Sequence, residues 1–293
     1  MPNPQTTLPG LLRRAGPEIG QFFRGAHARL GVVTLTNPEA RTMSRDQIGN
    51  RMKAYEEAAR GTLPRRLPVI IRVDGKAFHT WTKGCARPFD PMLVEILNEV
   101  GVALCEEVQG ASLAYLQSDE ISILVHGYKS IDTQPWFSNE VQKMVSISAA
   151  IASTAATVAS PRLFGTTKTA LFDSRVFVLP ENDVCNYFLW RQQDATRNSV
   201  SMLAQAHFSP KQCHGKNRRE LIAMLIAEKG IDWNDSPTTQ KRGRCIRKVT
   251  FEKDGGIRSR WDVDNEIPVF SENRKYVEDL LAIEEDEDLD DAV

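Results

Sequence analysis

Residues 67–79 read Leu-Pro-Val-Ile-Ile-Arg-Val-Asp-Gly-Lys-Ala-Phe-His, and this stretch decides the fold. Leu67–Val73 is a short run rich in β-branched residues, which is typical of a buried strand. The run ends abruptly at Asp74 and Gly75, a pair that favours a turn. The sequence therefore predicts a core strand that places a carboxylate at one edge of a sheet.

The sequence predicts further helices and strands after this strand. Asp90 is a favoured N-cap residue and Pro91 suits the first helical position, so a helix begins there and closes near Gly110. Two short strands flank the turn 117–120 and predict a hairpin. The two hairpin strands are Ser112–Gln117 and Ile121–His126, the other helices span Ser44–Ala59, Trp136–Ala159 and Asp183–His207, and another strand spans Lys168–Leu179.

The order β-α-β-β-α-β from Leu67 to Leu179 sets the predicted fold class, α+β. This order is that of a split βαβ, ferredoxin-like antiparallel sheet with helices packed on one face. A helical and basic C-terminal region follows it. We predict four regions: a flexible N-terminal extension (1–42), a catalytic domain (43–208), a basic C-terminal region (209–283) and an acidic disordered tail (284–293).

The net charge of −1 conceals a strong asymmetry between the tail and the rest of the chain. Residues 284–291 hold seven acids, so removing them leaves a net charge of +6 on residues 1–283. This balance allows a polyanionic partner.

Composition also narrows the class of protein and its compartment. The uninterrupted apolar runs are far shorter than the ~20 residues that span a bilayer, so we expect no membrane segment. The 5 cysteines have no CxxC spacing, which disfavours disulfides and zinc and favours a reducing compartment, the cytoplasm. The Arg-rich, acid-poor residues 1–42 leave targeting to an organelle as the alternative.

Two carboxylates form the strongest chemical signal. Asp74 follows the first strand and Asp119 lies at the hairpin tip, so neighbouring antiparallel strands would bring them together at one edge. Close carboxylates repel unless a cation neutralises them, and Mg²⁺ prefers carboxylate, carbonyl and phosphate oxygens. The carbonyl of Gly75 can approach the same ion. We therefore predict a two-ion Mg²⁺ site suited to nucleotidyl or phosphoryl transfer; the alternative is an ordinary turn and hairpin tip.

The residues after the first acid could bind phosphate. Successive amides of residues 75–79 in a tight turn can form an anion-binding concavity, to which Lys76 and His79 add charge. Arg87 could clamp a triphosphate, or could simply be solvated. On the last predicted helix Arg191, Asp194 and Asn198 share one face, which lines a cleft or faces solvent.

Residues 241–248 carry five positive charges and no acid. Such clusters bind phosphate backbones through counterion release, and Lys241, Arg242 and Arg244 are the candidate contacts. The alternative is a solvated basic strand that buries Ile246.

Several blocks resemble, in order and spacing, the signature blocks of the tRNA-His guanylyltransferase family. The resemblance extends from about residue 45 to residue 247. Some of the blocks look more like the branch of tRNA-His guanylyltransferase-like proteins. The family blocks are Ile71–His79, Ala86–Asp90, Tyr115–Ser122, Phe172–Val176 and Trp190–Asp194, and the branch blocks are Gly49–Glu56, Trp233–Asp235 and Lys241–Gly243.

The resemblance implies a fold akin to the palm of 5′–3′ polymerases, a homotetramer, and 3′–5′ addition of nucleotides to tRNA. In such enzymes ATP activates the tRNA 5′ end, the 3′-hydroxyl of an incoming NTP such as GTP attacks it, and pyrophosphate is then removed. By position, Asp74, Gly75 and Asp119 resemble the Mg²⁺ ligands, with Glu120 as a supporting acid. The implied nucleotide-binding residues are Asp74, Gly75, Lys76, Ala77, Phe78, His79, Arg87, Ser118, Asp119 and Asn198.

Two departures from the family pattern bear on the activity. Thr196-Arg197-Asn198-Ser199 stands where the eukaryotic branch has His-Ile-Asn-Asn, so only Asn198 keeps its place. That motif belongs with handling of tRNA-His, so its loss favours templated repair of tRNA 5′ ends over guanine addition. Arg87 stands where a lysine is common, which keeps the charge but alters its geometry.

We therefore predict a Mg²⁺-dependent 3′–5′ nucleotidyltransferase that acts on the 5′ end of tRNA. One alternative is a nucleotidyl cyclase-like palm enzyme, which the basic segment 241–248 disfavours. The other is a non-catalytic RNA-binding domain. That class predicts exposed aromatic residues on the central strands, which Val69, Ile71 and Ile123 do not supply.

Overall fold

The computed structural model describes residues 45–282 except 129 and 131. The predicted extension 1–42 and acidic tail 284–293 lie outside the described residues. The chain divides into two units, one ending at Ala58 and the other beginning at Ala59. In the first unit, helix α1 spans Arg45–Ala58, close to the predicted bounds.

The second unit contains a mixed arrangement of helices and one antiparallel sheet. The strands are β1 Val69–Gly75, β2 Ala111–Gln117, β3 Glu120–Val125, β4 Phe172–Val178, β5 Arg244–Lys253 and β6 Gly256–Asp264. They are ordered β4-β1-β3-β2-β5-β6, and every pairing is antiparallel. The predicted α+β class and the predicted order of elements are thus observed. Two further strands come from the region predicted as basic and C-terminal.

The helices of this unit are of very different lengths. They are α2 Phe78–Trp81, α3 Pro91–Glu107, α4 Val141–Ala159, α5 Pro161–Phe164, α6 Glu181–His207, α7 Pro210–Cys213, α8 Arg218–Lys229, α9 Thr238–Arg242 and α10 Lys275–Glu278. Short 3-10 turns lie at Trp136–Asn139, Trp233–Asp235 and Asp279–Leu281. The cap of α3 is as predicted: the Asp90 carboxylate accepts the N–H groups of Met92 and Leu93.

Helices cover both faces of the sheet, so the prediction that they pack on one face was wrong. On one face α3 and α4 pack against alternate strand residues such as Ile71 and Ile123. On the other face α6 and the segment around Phe270 pack against Ile70 and Leu124. Burial on both faces explains why β1 is a continuous apolar run instead of an alternating one. It also leaves no open central face for a bound RNA strand in the described part of the chain.

Two predicted boundaries were wrong. The helix predicted from Trp136 begins only at Val141, because Phe137 and Ser138 take positive φ values of 48° and 54° that interrupt a helix. The strand predicted from Lys168 begins at Phe172.

Helix α4 also bears on the expected absence of a membrane segment. Among the described residues, 141–164 is one stretch that length and apolarity alone would allow to cross a bilayer. Ser and Thr residues break its apolar runs, so counting uninterrupted runs missed it. Its inner residues Met144, Ala152 and Ala156 are fully buried in the core beside the sheet.

Candidate active site

Acidic side chains meet where β1 ends. In the strand pairing Asp74 lies opposite Glu120 of β3 on one side and opposite Asp173 of β4 on the other. Burial, then the charge of Glu120 and that of Asp173, raise the pKa of Asp74, while Arg175 and Arg72 lower it. The three carboxylates thus form a row across the sheet edge, and their mutual repulsion favours a bound cation.

Asp119 lies in the hairpin turn beside this row. Burial raises its pKa to about 6, and the charges of Asp74 and Glu120 act in the same direction. A hydrogen bond from its own backbone N–H and one from the Ser118 hydroxyl partly offset this rise. Ser118 has a φ of 48°, a left-handed conformation that tightens the turn. The structure therefore brings Asp74 and Asp119 into one electrostatic site, as the sequence predicted.

Glu120 is held by an ion pair with helix α6. Its two oxygens accept hydrogen bonds of 2.7 Å from Nε and Nη2 of Arg191, and both side chains are nearly buried. Arg191 Nη2 also bonds Asp194 at 3.0 Å. A bidentate carboxylate–guanidinium pair is geometrically specific, so it fixes where α6 sits on the sheet. Glu120 thus supports the site through its charge and its hold on α6.

Sequence reasoning missed Asp173 and Arg175. Arg175 Nη2 lies 3.2 Å from Asp173 and 3.9 Å from Asp74 Oδ2, so it balances two acids of the row. The i, i+2 spacing of these two residues in a strand was the available signal, because it places them on one face. Which strand lies beside β4 could not be read from that spacing.

The loop after β1 is packed tightly around Gly75. A Cβ at this position would lie 2.2 Å from the ring of Phe78, so only glycine fits. Phe78 itself is buried, and its ring stacks on Trp81. The N–H of Lys76 donates to the Leu171 carbonyl, which removes one amide from the predicted anion-binding turn.

A cavity of about 800 Å³ opens beside the carboxylates. His79, Arg87, Ser118 and Asp119 line it, together with residues of α3, α6 and the segment before β5. A pocket of this size suits a nucleotide. Phe78 lines it too, so five of the predicted nucleotide-binding residues share one cavity wall. Asp74, Gly75, Lys76 and Ala77 do not line it.

Two predicted site residues, Asn198 and Arg244, are not placed as predicted, although Arg244 does line the cavity. Asn198 is exposed on α6, outside the cavity wall, and donates to Asp194. Arg244 was predicted on the basic surface for nucleic acid, and that placement is wrong. Arg244 is only 3% exposed, because it is the first residue of β5, which pairs with β2, and its side chain lies under α3. Alternating charges along a strand could not reveal which side would be covered.

Lys241 and Arg242 are partly buried and already make internal hydrogen bonds. Lys241 Nζ donates to the Asn234 carbonyl at 2.6 Å, and Arg242 Nε donates to the Ile267 carbonyl at 3.0 Å. Exposed cations lie further along the ribbon formed by β5 and β6, at Lys248, Lys253, Arg258 and Arg260.

The donor set at the sheet edge fits Mg²⁺ better than a soft metal. Within the part of the chain that the structure describes, no group of three or more His, Cys, Asp or Glu residues could hold a metal. Asp74, Asp119 and the Gly75 carbonyl supply oxygen only, and Mg²⁺ usually takes one or two carboxylates and completes its shell with water and phosphate.

Converging carboxylates, nearby cations and a nucleotide-sized cavity are together typical of enzymes that transfer a nucleotidyl group. Comparison with known proteins agrees. The family model described as tRNAHis guanylyltransferase matches residues 49–180. A bacterial tRNA(His) guanylyltransferase (Thg1)-like protein in complex with ATP is 48% identical, with a TM-score of 0.75, over 80% of this chain and 99% of that chain.

Two further comparisons are consistent with this one. The structure of a bacterial Thg1-like protein in complex with GTP is 47% identical, with a TM-score of 0.71, over 80% of this chain and 98% of that chain. The tRNA(His) guanylyltransferase of Schizosaccharomyces pombe is 28% identical over 66% of this chain and 77% of its own length. The chain belongs to the tRNAHis guanylyltransferase family and is a tRNA nucleotidyltransferase. The predicted family and enzyme class are confirmed, and the cyclase and passive RNA binder are set aside.

Proposed function

We propose that this protein is a Mg²⁺-dependent 3′–5′ nucleotidyltransferase that repairs tRNA 5′ ends by templated addition. The observation that carries the proposal is that Asp119, which interacts electrostatically with Asp74, lines a cavity that Ser118 and Arg87 also line. The palm-like description of the sheet fits the same placement, because both acids lie at the ends of neighbouring central strands.

Each group of the site has a distinct part in the proposed reaction. Mg²⁺ held by Asp74, the Gly75 carbonyl and Asp119 would neutralise phosphate charge and favour attack at phosphorus. Arg87 and His79 line the cavity and are exposed, so they can reach a triphosphate without leaving a buried charge behind. The tight contact of Phe78 on Gly75 fixes the backbone carbonyl of Gly75 at the sheet edge.

The charges around the two acids keep them ready for a cation. Burial, and then the charges of Glu120 and Asp173, raise the pKa of Asp74, which makes its ionised form costly until positive charge arrives. Arg191 pairs with Glu120 and Arg175 pairs with Asp173, the two outer acids of the row. The inner acid, Asp74, has the weakest ion pair, at 3.9 Å from Arg175.

Templated repair is favoured over guanine addition by two observations. The chain has Thr196-Arg197-Asn198-Ser199 where the eukaryotic branch has His-Ile-Asn-Asn, and Asn198 is bonded to Asp194 away from the cavity. The chain is also 48% identical to a Thg1-like protein but 28% identical to the Schizosaccharomyces pombe guanylyltransferase.

Three further parts of the proposal concern partners and place. The exposed cations of the β5–β6 ribbon are the proposed contact with tRNA phosphates, in place of the buried Arg244. The outward stripe of α4 supports a homotetramer, since Ile147, Ala150, Thr154 and Val158 are exposed, small or apolar, and uncharged. The 5 free cysteines support a cytoplasmic location.

The decisive experiment compares two 5′-monophosphorylated substrates, a full-length tRNA-His and a tRNA lacking its first nucleotide, with Mg²⁺, ATP and each labelled NTP. We expect extension of the shortened tRNA only by the nucleotide that pairs with its 3′ strand. Changing that template nucleotide should change the nucleotide added. Asp74→Asn and Asp119→Asn should abolish addition and retain tRNA binding.

Two results would contradict the proposal. Addition of G to full-length tRNA-His alone would assign guanine addition instead of repair. Full activity in either Asn variant would remove the carboxylates from the reaction.

A further inference from the structure

Two arginines face each other across β1 and β4, two residues inward from the acids. Arg72 of β1 lies directly opposite Arg175 of β4 in the strand pairing. Ile70 packs under α6, and alternation along β1 places Arg72 and Asp74 on that same face of the sheet. Like charges directly opposite each other in a sheet are destabilising. The arginine pair therefore favours a negatively charged ligand.

The guanidinium of Arg72 has donors to spare. Its Nε atom is buried and has no hydrogen-bond partner. Its charge lowers the pKa of Asp74, but among residues 45–282 as described the two make no ion pair within 4 Å. A buried donor without an acceptor is costly, and a guanidinium has five N–H donors. An oxyanion between Arg72 and the half-exposed Arg175 would satisfy them.

The arginine pair is separate from the nucleotide cavity. Arg72 and Arg175 are not among the described residues that line the cavity, whereas Asp119 is. Asp74 interacts with both places, since it raises the pKa of Asp119 and lies 3.9 Å from Arg175. A step of two residues along a strand covers about 7 Å, which separates the acids from the arginines. Phosphates bound in the two places would therefore approach the same carboxylate.

Trp190 adds an aromatic surface beside the arginines. It lies on α6 and is 47% exposed, although tryptophan is usually well buried. Its ring packs edge-on against Tyr187, with centres 5.9 Å apart, and against the Arg191 guanidinium at 4.4 Å. Tyr187 in turn shares a hydrogen bond with Ser122, which lies opposite Arg72 in the sheet. An exposed ring beside cations suits a nucleobase, so the ligand is the end of a nucleic acid chain and not free pyrophosphate.

We propose that Arg72 and Arg175 bind the phosphates at the 5′ end of the tRNA while the incoming nucleotide occupies the cavity. Guanidinium groups bind phosphate through parallel N–H bonds, and phosphate chemistry is the chemistry of this site. The acids then lie between the two phosphorylated substrates that the reaction must join. The inference rests on the proposed function and adds where its second substrate binds.

The test compares two shortened tRNAs that differ only at the 5′ end, one with a 5′-triphosphate and one with a 5′-hydroxyl. Equilibrium binding to the full chain is measured with Mg²⁺ and without any free nucleotide, so no addition takes place. We expect the triphosphorylated tRNA to bind about 10-fold more tightly, as charge-assisted hydrogen bonds would give. This comparison uses the unaltered protein, so it does not depend on how a variant folds.

Variants then assign the preference to the two arginines. Arg72→Gln and Arg175→Gln should each remove most of it, with the affinities for 5′-hydroxyl tRNA and for ATP unchanged. Arg175→Lys should keep part of it, because the charge remains without the paired donors. Arg258→Gln, on the β5–β6 ribbon, is the matched control: it should weaken both tRNAs by the same factor and keep the preference. Thermal unfolding checks that each variant is folded, and the half-exposed Arg175 keeps the test open if Arg72→Gln does not fold.

Three outcomes would overturn the inference. These are equal binding of the two tRNAs by the wild type, an unchanged preference in folded Arg175→Gln, or loss of ATP binding in either variant with the preference intact. The last would place the arginines at the free nucleotide. If the preference depends on both arginines but shortened tRNA is never extended, the proposed function fails and the site for the 5′ phosphates stands.

Discussion

At the scale of single residues, the site holds carboxylates whose ionised forms are disfavoured by burial and by neighbouring acids. Asp119 has a pKa of about 6, against an ordinary value of 3.8, because burial and neighbouring acids disfavour its ionised form. Between these two pH values the folded chain binds more protons than the unfolded chain. The free energy of unfolding must therefore fall as pH rises through that window.

Asp119→Asn should stabilise the protein at pH 7 in metal-free buffer, since it removes an ionised group that the fold disfavours. The gain should shrink as pH falls from about 6 to about 4 and be lost below that, where the wild-type carboxyl is protonated in both states. Mg²⁺ should raise the melting temperature of the wild type more than that of the variant. Thermal unfolding at several pH values measures all three effects. A variant less stable than the wild type at pH 7 would contradict the assignment.

Gly75→Ala tests the packing of the loop that carries the carbonyl. The new methyl would meet the Phe78 ring, which cannot move freely because it also packs on Trp81 and Phe172 at ring-centre distances of 4.8 and 4.9 Å. We expect a loss of about 1–3 kcal/mol in unfolding free energy. Nucleotide addition should fall further than stability explains. Gly61→Ala, which meets no atom within 4 Å and lies outside the left-handed region, controls for adding a methyl to a glycine.

At the scale of elements, helix α6 and the sheet are joined through one buried ion pair. Arg191 and Glu120 have side chains only 8% and 12% exposed, so neither can recover solvation if its partner is lost. The pair therefore fixes the position of α6 on the sheet. The later turns of α6 contribute Met202 and Gln205 to the cavity.

Removing one member of this pair should cost about 3 kcal/mol of unfolding free energy, because the other remains a buried unpaired charge. Arg191→Met and Glu120→Gln should each be destabilising, and the double variant should lose much less than the sum. Denaturant unfolding of the four proteins measures the coupling. Additive losses would mean that the two side chains do not interact.

How far the sequence predicts these elements depends on the range of the contacts involved. The run at 67–73 and the turn at Gln117–Glu120 are local patterns, so β1 and the hairpin were predictable, and their pairing followed from antiparallel geometry. The ion pair of Glu120 with Arg191 joins residues 71 apart and depends on how a helix docks. Arg244 appeared to be surface charge because its burial needs β5 to enter the sheet beside β2.

At the scale of the whole molecule, one face of α4 packs in the core and the other is exposed among the described residues. Ile147 and Val158 are 40% and 74% exposed, and a separation of 11 residues places them on the same side of a helix. Leu171 is also 50% exposed, just before β4. An uncharged stripe of this kind on a core helix favours contact with another copy of the chain.

The proposed homotetramer can be tested by light scattering coupled to size-exclusion chromatography, with four chain masses expected for the wild type. Ile147→Glu with Val158→Glu should reduce the mass to that of a dimer or monomer, since burying a carboxylate at an apolar interface is costly. Ile226→Glu, at a 47% exposed position on α8, is the matched control and should remain tetrameric. A monomeric wild type, or a doubly substituted protein that stays tetrameric, would show that α4 does not assemble the molecule.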